Sequence, residues 1–266
     1  PQVGMGPALP LLDRDLSILA FNERVLSWAE RKDVPLLERL RYLCIVSSNL
    51  DEWFEVRSAP HVAVAQTGEE RDSYTRTRFA ALMDKAQALV ARQYQIYNQA
   101  LIPAFHTHGI RLISHGERNA AQRRWVHEYF LREVQPLLVP VGLDPSHPFP
   151  QVANKALNFI VRLDGVDAFG RANEVAIVKV PRALPRLIPM PQKIAGKQRL
   201  FVSISSIVRA HLAELFPGRE VTEFSQFRVT RNSDLAVDEE DVINLRMALR
   251  QGLHHRHYGQ AVRLEV

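Results

Sequence analysis

The chain of 266 residues is poor in several features, and each shortage removes a class of protein. It has one cysteine, Cys44, so no intrachain disulfide can form and a reducing compartment is expected. Cys44 sits in an apolar run with Leu43, Ile45 and Val46, which predicts a small core hydrophobe and not a nucleophile. No apolar run approaches the roughly 18–20 residues that cross a bilayer. The first residues lack a basic stretch followed by a hydrophobic one, so neither a transmembrane segment nor a secretory leader is expected. GxxxxGK[ST] and GxGxxG are both missing, which argues against P-loop and dinucleotide-binding readings. Lysine is scarce as well: six of the 34 basic residues, against 28 arginines. Guanidinium groups grip phosphate oxygens bidentately, which suits a protein that handles polyanions. The arginines are scattered along the chain, so a plain compositional bias explains them too. What remains is ordinary for a soluble globular protein: 46% hydrophobic, 24% charged, a net charge of +5 and a pI near 9.6.

Hydrophobic spacing divides the chain into two textures. Residues 1–14, rich in Pro and Gly, read as a flexible lead-in. Residues 15–108 read as an antiparallel helical bundle. Ser17 is placed to cap a helix carrying Phe21, Val25, Leu26 and Ala29; Pro35 opens a second with Leu36, Leu37, Leu40, Leu43 and Cys44 as its buried stripe. A third is expected to begin after Asn49. A long fourth, over 76–105, repeats Phe79, Met83, Ala86, Val90, Gln93, Tyr97, Ala100 and Ala104 at three- and four-residue steps. Residues 109–266 change character. A helix over 120–134 precedes β-rich runs at 137–143, 158–163, 174–180, 199–202, 224–230 and 261–266, with helices near 205–215 and 238–254 and Pro-rich loops at 144–150 and 181–191. The fold class is therefore α+β: a helical bundle followed by a mixed α/β head domain.

Few constellations carry chemistry. In Ser47-Ser48-Asn49-Leu50-Asp51-Glu52, Asn49 with Glu52 three residues on reads as an N-cap with a capping-box carboxylate, which needs no ligand. A helix start with free amide donors also suits an anion or a base edge, so the two readings coexist. His254-His255-Arg256-His257 reads as a solvated basic helix end and not a metal cluster, and His106 and His108 read likewise. Asp238-Glu239-Glu240-Asp241 lacks the glycine and alternating oxygen ligands of a calcium loop. Arg228, Arg231 and Asn232 are read as surface or interdomain pairs, with polyphosphate contact as the alternative. Trp28, Trp53 and Trp125 are read as core or interface anchors.

Several spaced segments, taken together, resemble one family. LSILAFNERVL from Leu16, PLLERLRYL from Pro35, SSNLDEWFEVR from Ser47, His147-Pro148-Phe149-Pro150 with Asn154-Lys155-Ala156-Leu157-Asn158, FRVTRNSDL from Phe227 and VRLEV from Val262 are similar, in order, to the N-terminal and head domains of long-chain polyphosphate kinases. The resemblance covers nearly the whole chain. It departs at Ile18, where the family more often has Trp, and over the divergent segment 67–77. It implies a phosphotransferase that moves the terminal phosphate of ATP reversibly onto inorganic polyphosphate, through a phosphohistidine and with Mg2+. It carries an ATP contact onto Asn49. It also implies that the phosphohistidine, its partner histidine and the arginines for Mg2+ and phosphate belong to later domains. No catalytic residue and no metal ligand is therefore assigned here, and the 266 residues alone are expected to be inactive. The implied partners are ATP or ADP, polyphosphate and further copies of the chain, in the cytoplasm or at the inner face of its membrane. A non-catalytic polyanion- or nucleic-acid-binding module is the competing reading, although no nucleic-acid motif is present.

Overall fold

The computed structural model describes residues 12–71, 73–144, 146, 148–166, 174–232 and 259–266. The helix expected over 238–254, the acidic run at Asp238, the His254 cluster and His147 lie outside them. The chain divides into two compact units, Pro1–Leu101 and Ile102–Val266. The first is helical and the second holds the sheets, as the α+β class requires. Among the described residues no helix is long and apolar enough to cross a membrane.

The first unit consists of α1 (Arg14–Glu30), α2 (Leu36–Val56), α3 (Ala59–Thr67) and α4 (Arg76–Ile96), the last running into a π turn at Tyr97–Leu101. Helix α1 packs on α2 and α4, and α3 packs on both α2 and α4. Leu19, Leu26 and Ala29 of α1 meet a core that includes Leu43, Val46, Leu50 and Trp53 of α2 and Leu82, Ala86 and Leu89 of α4. Polar ties join the helices. Gln93 donates from Nε2 to the Leu43 carbonyl at 2.8 Å and to Ser47 Oγ at 2.6 Å. Arg39 donates to the Ala29 carbonyl at the end of α1 at 2.7 Å.

Four local expectations are corrected. Asp13, and not Ser17, caps α1, accepting from the Leu16 amide at 2.9 Å; Ser17 lies inside the first turn and donates to the Asp13 carbonyl. The buried phase of α1 is Leu19, Asn22, Leu26 and Ala29, so Phe21 is exposed, as is Trp28. Cys44 is exposed on α2, and Leu37 with it, because the stripe that faces the core is Leu43, Val46, Leu50, Trp53 and Phe54. Most consequentially, α2 runs unbroken through Asn49, which is neither a cap nor a hinge. Ser and Asn favour caps because their side chains compete for backbone groups. Here the apolar stripe continues on both sides of Asn49, and its burial outweighs that local preference.

The second unit opens with α5 (Ile102–Thr107) and β1 (Ile110–Leu112), followed by α6 (Ala120–Tyr129) and a π turn at Phe130–Val134. Pro136 follows that turn; it has no N–H to give and its ring crowds the carbonyl four residues back, at Arg132 within the widened turn. Then come β2 (Val139–Gly142), β3 (Asn158–Asp164), β4 (Val175–Lys179), β5 (Leu187–Pro189), α7 (Gln192–Ala195), β6 (Arg199–Ser203), α8 (Ile204–Ala210), a 3-10 turn at Leu212–Leu215, β7 (Glu220–Arg231) and β8 (Ala261–Glu265). They form a five-stranded antiparallel sheet ordered β2-β4-β3-β7-β8, and a three-stranded sheet ordered β1-β6-β5 in which β1 runs parallel to β6. Strand β5 lies within the Pro-rich stretch read as loop; among the described residues it pairs only with β6, and Pro189 is tolerated on such an edge. The large sheet is covered on both faces. Phe159, Val161, Ala176 and Val178 share a core with Val126, Phe130, Ile207 and Val208, whereas Ile177 and Phe227 pack with Val152 on the opposite face.

Candidate functional site

Two side-chain stripes at helical spacing line a cleft of about 330 Å³ along the α1–α2 groove. Helix α1 contributes Arg14, Ile18, Phe21 and Asn22; α2 contributes Asn49, Glu52, Trp53 and Val56, with Arg57 at its C-terminal end. The steps of three and four residues put each set on one helix face. Asn49 therefore does lie on a cleft wall, although by a different local geometry from the one its sequence context suggests.

The orientation of its amide follows from the backbone. Asn22 is fully buried, and its Nδ2 donates to the Ile18 carbonyl at 3.0 Å. A carbonyl oxygen only accepts, so Asn22 must place its NH2 there and turn its Oδ1 across the interface. That Oδ1 accepts from Asn49 Nδ2 at 2.8 Å. Asn49 is thereby set with Oδ1 unused among the described residues and one Nδ2 hydrogen to spare. The fixed amide offers one acceptor and one donor side by side.

The rest of the cleft complements this pair. Phe21 and Val56 are exposed and Ile18 half-buried, a surface that a flat apolar ligand can cover. Trp53 lines the same cleft while almost wholly buried, and its indole N–H has no acceptor among the described residues. Arg14, Arg57 and Glu52 make no ion pair among the described residues. A volume near 330 Å³ is at the lower end of what small-molecule sites occupy. The sequence reading named Asn49 and missed its partners. The available signal was Asn22, an amide placed in the apolar phase between Leu19 and Leu26.

Described residues of the other motifs make contacts within the second unit. Asn154 Oδ1 accepts from the Arg231 amide at 2.9 Å, and Arg231 donates from its side chain to the Val152 carbonyl at 3.3 Å and the Gly259 carbonyl at 2.9 Å. The Asn154-Lys155 and Arg228–Arg231 segments, separated in sequence, thus meet at one side of the large sheet. Arg228 pairs with Glu265 of β8 at 2.5 Å. His108 closes the end of α5, its Nδ1–H donating to the Ala104 carbonyl at 2.8 Å.

Two family models match the chain: the polyphosphate kinase N-terminal domain over residues 11–113, and the polyphosphate kinase middle domain over residues 121–266. The polyphosphate kinase of Neisseria meningitidis serogroup B is 50% identical over 260 residues, which is 96% of this chain and 38% of the relative. That of Burkholderia vietnamiensis is 48% identical over 268 residues, 98% of this chain and 39% of the relative. A crystal structure of polyphosphate kinase from Porphyromonas gingivalis aligns with a TM-score of 0.74 at 31% identity, over 87% of this chain and 34% of that one. The chain spans about two-fifths of the length of the curated relatives it matches.

Proposed function

Because the chain belongs to the polyphosphate kinase family, we propose that its α1–α2 cleft holds the base of ATP for the phosphotransferase of which these two units are one portion. The observation that carries the reading is the hydrogen-bond relay from the Ile18 carbonyl through Asn22 to Asn49. It presents an acceptor beside a donor, the complement of adenine's N6 amino group and an adjacent ring nitrogen. Phe21 supplies a face for the base, and Arg14 and Arg57 supply positive charge at the cleft for the phosphates.

In this reading the complete enzyme passes the terminal phosphate of ATP to polyphosphate, reversibly, and the histidine that carries it is none of the ten present here. Among the described residues Glu52 is the single carboxylate on the cleft wall, too few oxygen ligands to hold Mg2+. The Mg2+ that accompanies the family's chemistry would then have its protein ligands in the later domains of the complete enzyme. The second unit contributes contacts between copies of the chain. The family match favours this reading over a free-standing polyanion-binding module.

Calorimetric titration of the chain with ATP tests the assignment. Saturable binding is expected, weakened about tenfold by Asn49→Ala, the scale of one or two lost hydrogen bonds; the unfolding midpoint should fall as well, since the variant leaves Oδ1 of the buried Asn22 without its donor. Equal binding by both proteins, or a loss of stability with no loss of affinity, would return Asn49 to a purely structural role.

A further inference from the structure

Away from the α1–α2 cleft, the second unit gathers two imidazoles and a carboxylate from distant parts of the sequence. His127 Nε2, on α6, lies 3.1 Å from Glu214 Oε2, and His211 Nδ1, just after α8, lies 2.8 Å from Glu214 Oε1. One ligand atom from each of the three residues lies within 4.8 Å of the others. We propose that His127, His211 and Glu214 form a site for a transition-metal dication of the Zn2+ type, which clips α6 to the turn after α8.

The donor set decides the class of ion. Two imidazoles and one carboxylate suit Zn2+, Co2+, Ni2+ or Cu2+, whereas Mg2+ and Ca2+ demand oxygen ligands. Ligands at about 2.0–2.2 Å from a tetrahedral Zn2+ stand roughly 3.3 Å from one another. The two imidazole nitrogens stand 3.1 and 2.8 Å from different oxygens of Glu214, and the three ligand atoms all lie within 4.8 Å of one another, so side-chain rotation about an ion brings the set to that value. Three protein ligands leave the fourth position to water.

The framework is already ordered. His211 stacks on Phe130, with ring centroids 4.6 Å apart, and on His127, with centroids 5.1 Å apart, and both pairs are 22° from parallel. His211 caps the 3-10 turn that contains Glu214, and residues three apart eclipse in that geometry. The carboxylate is therefore held over the imidazole before any ion arrives. Coordination requires a bare lone pair on each ligating nitrogen. Hydrogens now shared with Glu214 move to the far ring nitrogens or leave to solvent, and no other covalent bond changes.

The test uses the whole chain and Zn2+ itself. His254, His255 and His257 form a second histidine-rich segment, so the background protein carries His254→Gln, His255→Gln and His257→Gln. In that background calorimetry should find one Zn2+ per chain, and Co2+ should give the intense visible absorption of a four-coordinate site. His127→Gln or Glu214→Gln should weaken Zn2+ binding at least about tenfold. Zn2+ should raise the unfolding midpoint of the background protein and not that of His127→Gln, since an ion that binds only the folded state stabilises it. The His127 and Glu214 side chains are 47% and 38% exposed, so these variants should fold, which circular dichroism verifies. Loss of all Zn2+ binding in the background protein, or equal binding by background and His127→Gln, overturns the proposal.

Discussion

The amides of Asn22 and Asn49 meet at 2.8 Å across the α1–α2 interface, 27 residues apart in sequence, with Asn22 inside and Asn49 at the edge of a cleft. A buried amide pair is costly unless each partner is satisfied. Here the inner one is anchored to the helix backbone, so a single orientation of the outer amide is favoured. An asparagine free to rotate could present either edge, and would accept adenine or guanine by turning over.

That difference separates the inner residue from the outer in a nucleotide competition. Asn22→Ala should leave Asn49 in place but release its orientation. ATP affinity should then fall less than in Asn49→Ala, while the preference for ATP over GTP shrinks by up to roughly tenfold, about the worth of one well-placed hydrogen bond. Competition of ATP and GTP for each variant measures both quantities. A preference unchanged in Asn22→Ala would mean that the relay does not select the base.

A second buried pair fixes the other end of α1. His61 of α3 is fully buried, with Nε2 3.1 Å from Asp15 Oδ2 and Nδ1 without a hydrogen-bond partner among the described residues; Arg78 of α4 pairs with Asp13 and Asp15. Asp15→Ala would leave neither imidazole nitrogen bonded, at a cost of about 1–3 kcal/mol for an orphaned buried polar group. Adding His61→Leu should recover part of that loss, because replacing both partners by apolar groups removes the unsatisfied nitrogen. Urea unfolding of the single and double variants gives the comparison. If the double variant is no more stable than the single, desolvation of His61 is not what Asp15 offsets.

Much of this was legible in the sequence, and the exceptions have causes. The strands over 158–164 and 175–179 announced themselves because β-branched residues cluster there and both faces are covered. In α1 the reading chose Phe21 and Val25 because the true stripe contains a polar residue, Asn22, which disguises it. In α2 a locally cap-like string sits on a helix stabilised from outside itself, and short-range pattern carries no record of that packing. Strand β5 has three residues and one neighbour, too little to register against the surrounding prolines. The His127–Glu214 contact spans 87 residues, and nothing local to either residue indicates it.

Acid should loosen the α1–α4 contact at a surface site. Arg92 donates to both oxygens of Glu30, at 2.8 and 2.5 Å. That hydrogen bonding holds the Glu30 carboxyl below its ordinary value of 4.5. An acid strengthened in this way binds fewer protons folded than unfolded, so its contribution is complete above about pH 4.5 and is lost as pH falls through the lowered folded value. Both side chains are about two-fifths exposed, so the effect should stay below about 1 kcal/mol and shrink with salt. Unfolding midpoints of Glu30→Gln and the parent protein should differ at neutral pH and converge in acid. A difference that grows on acidification would contradict the sign.

The loop beneath the large sheet offers a test of backbone strain. Lys155 has φ of 56°, the one left-handed non-glycine among the described residues. The turn is held in that shape by its neighbours: the Lys155 amide donates to the Val229 carbonyl at 2.8 Å, and Asn154 Oδ1 accepts from Arg231. A side chain in this region costs about 1–2 kcal/mol, which glycine avoids. Glycine also gives the unfolded chain more freedom, worth about 0.5–1 kcal/mol in the opposite sense. Lys155→Gly should therefore be neutral or slightly stabilising. Lys155→Val, β-branched and ill suited to positive φ, should destabilise, and Asn154→Ala should do so too by unpairing the Arg231 amide. Hydrogen exchange at the amides of Lys155 and Arg231 distinguishes the two causes. Asn154→Ala should expose the Arg231 amide first, whereas Lys155→Val should loosen both together; protection unchanged at both positions in Lys155→Val would show that the turn bears no strain.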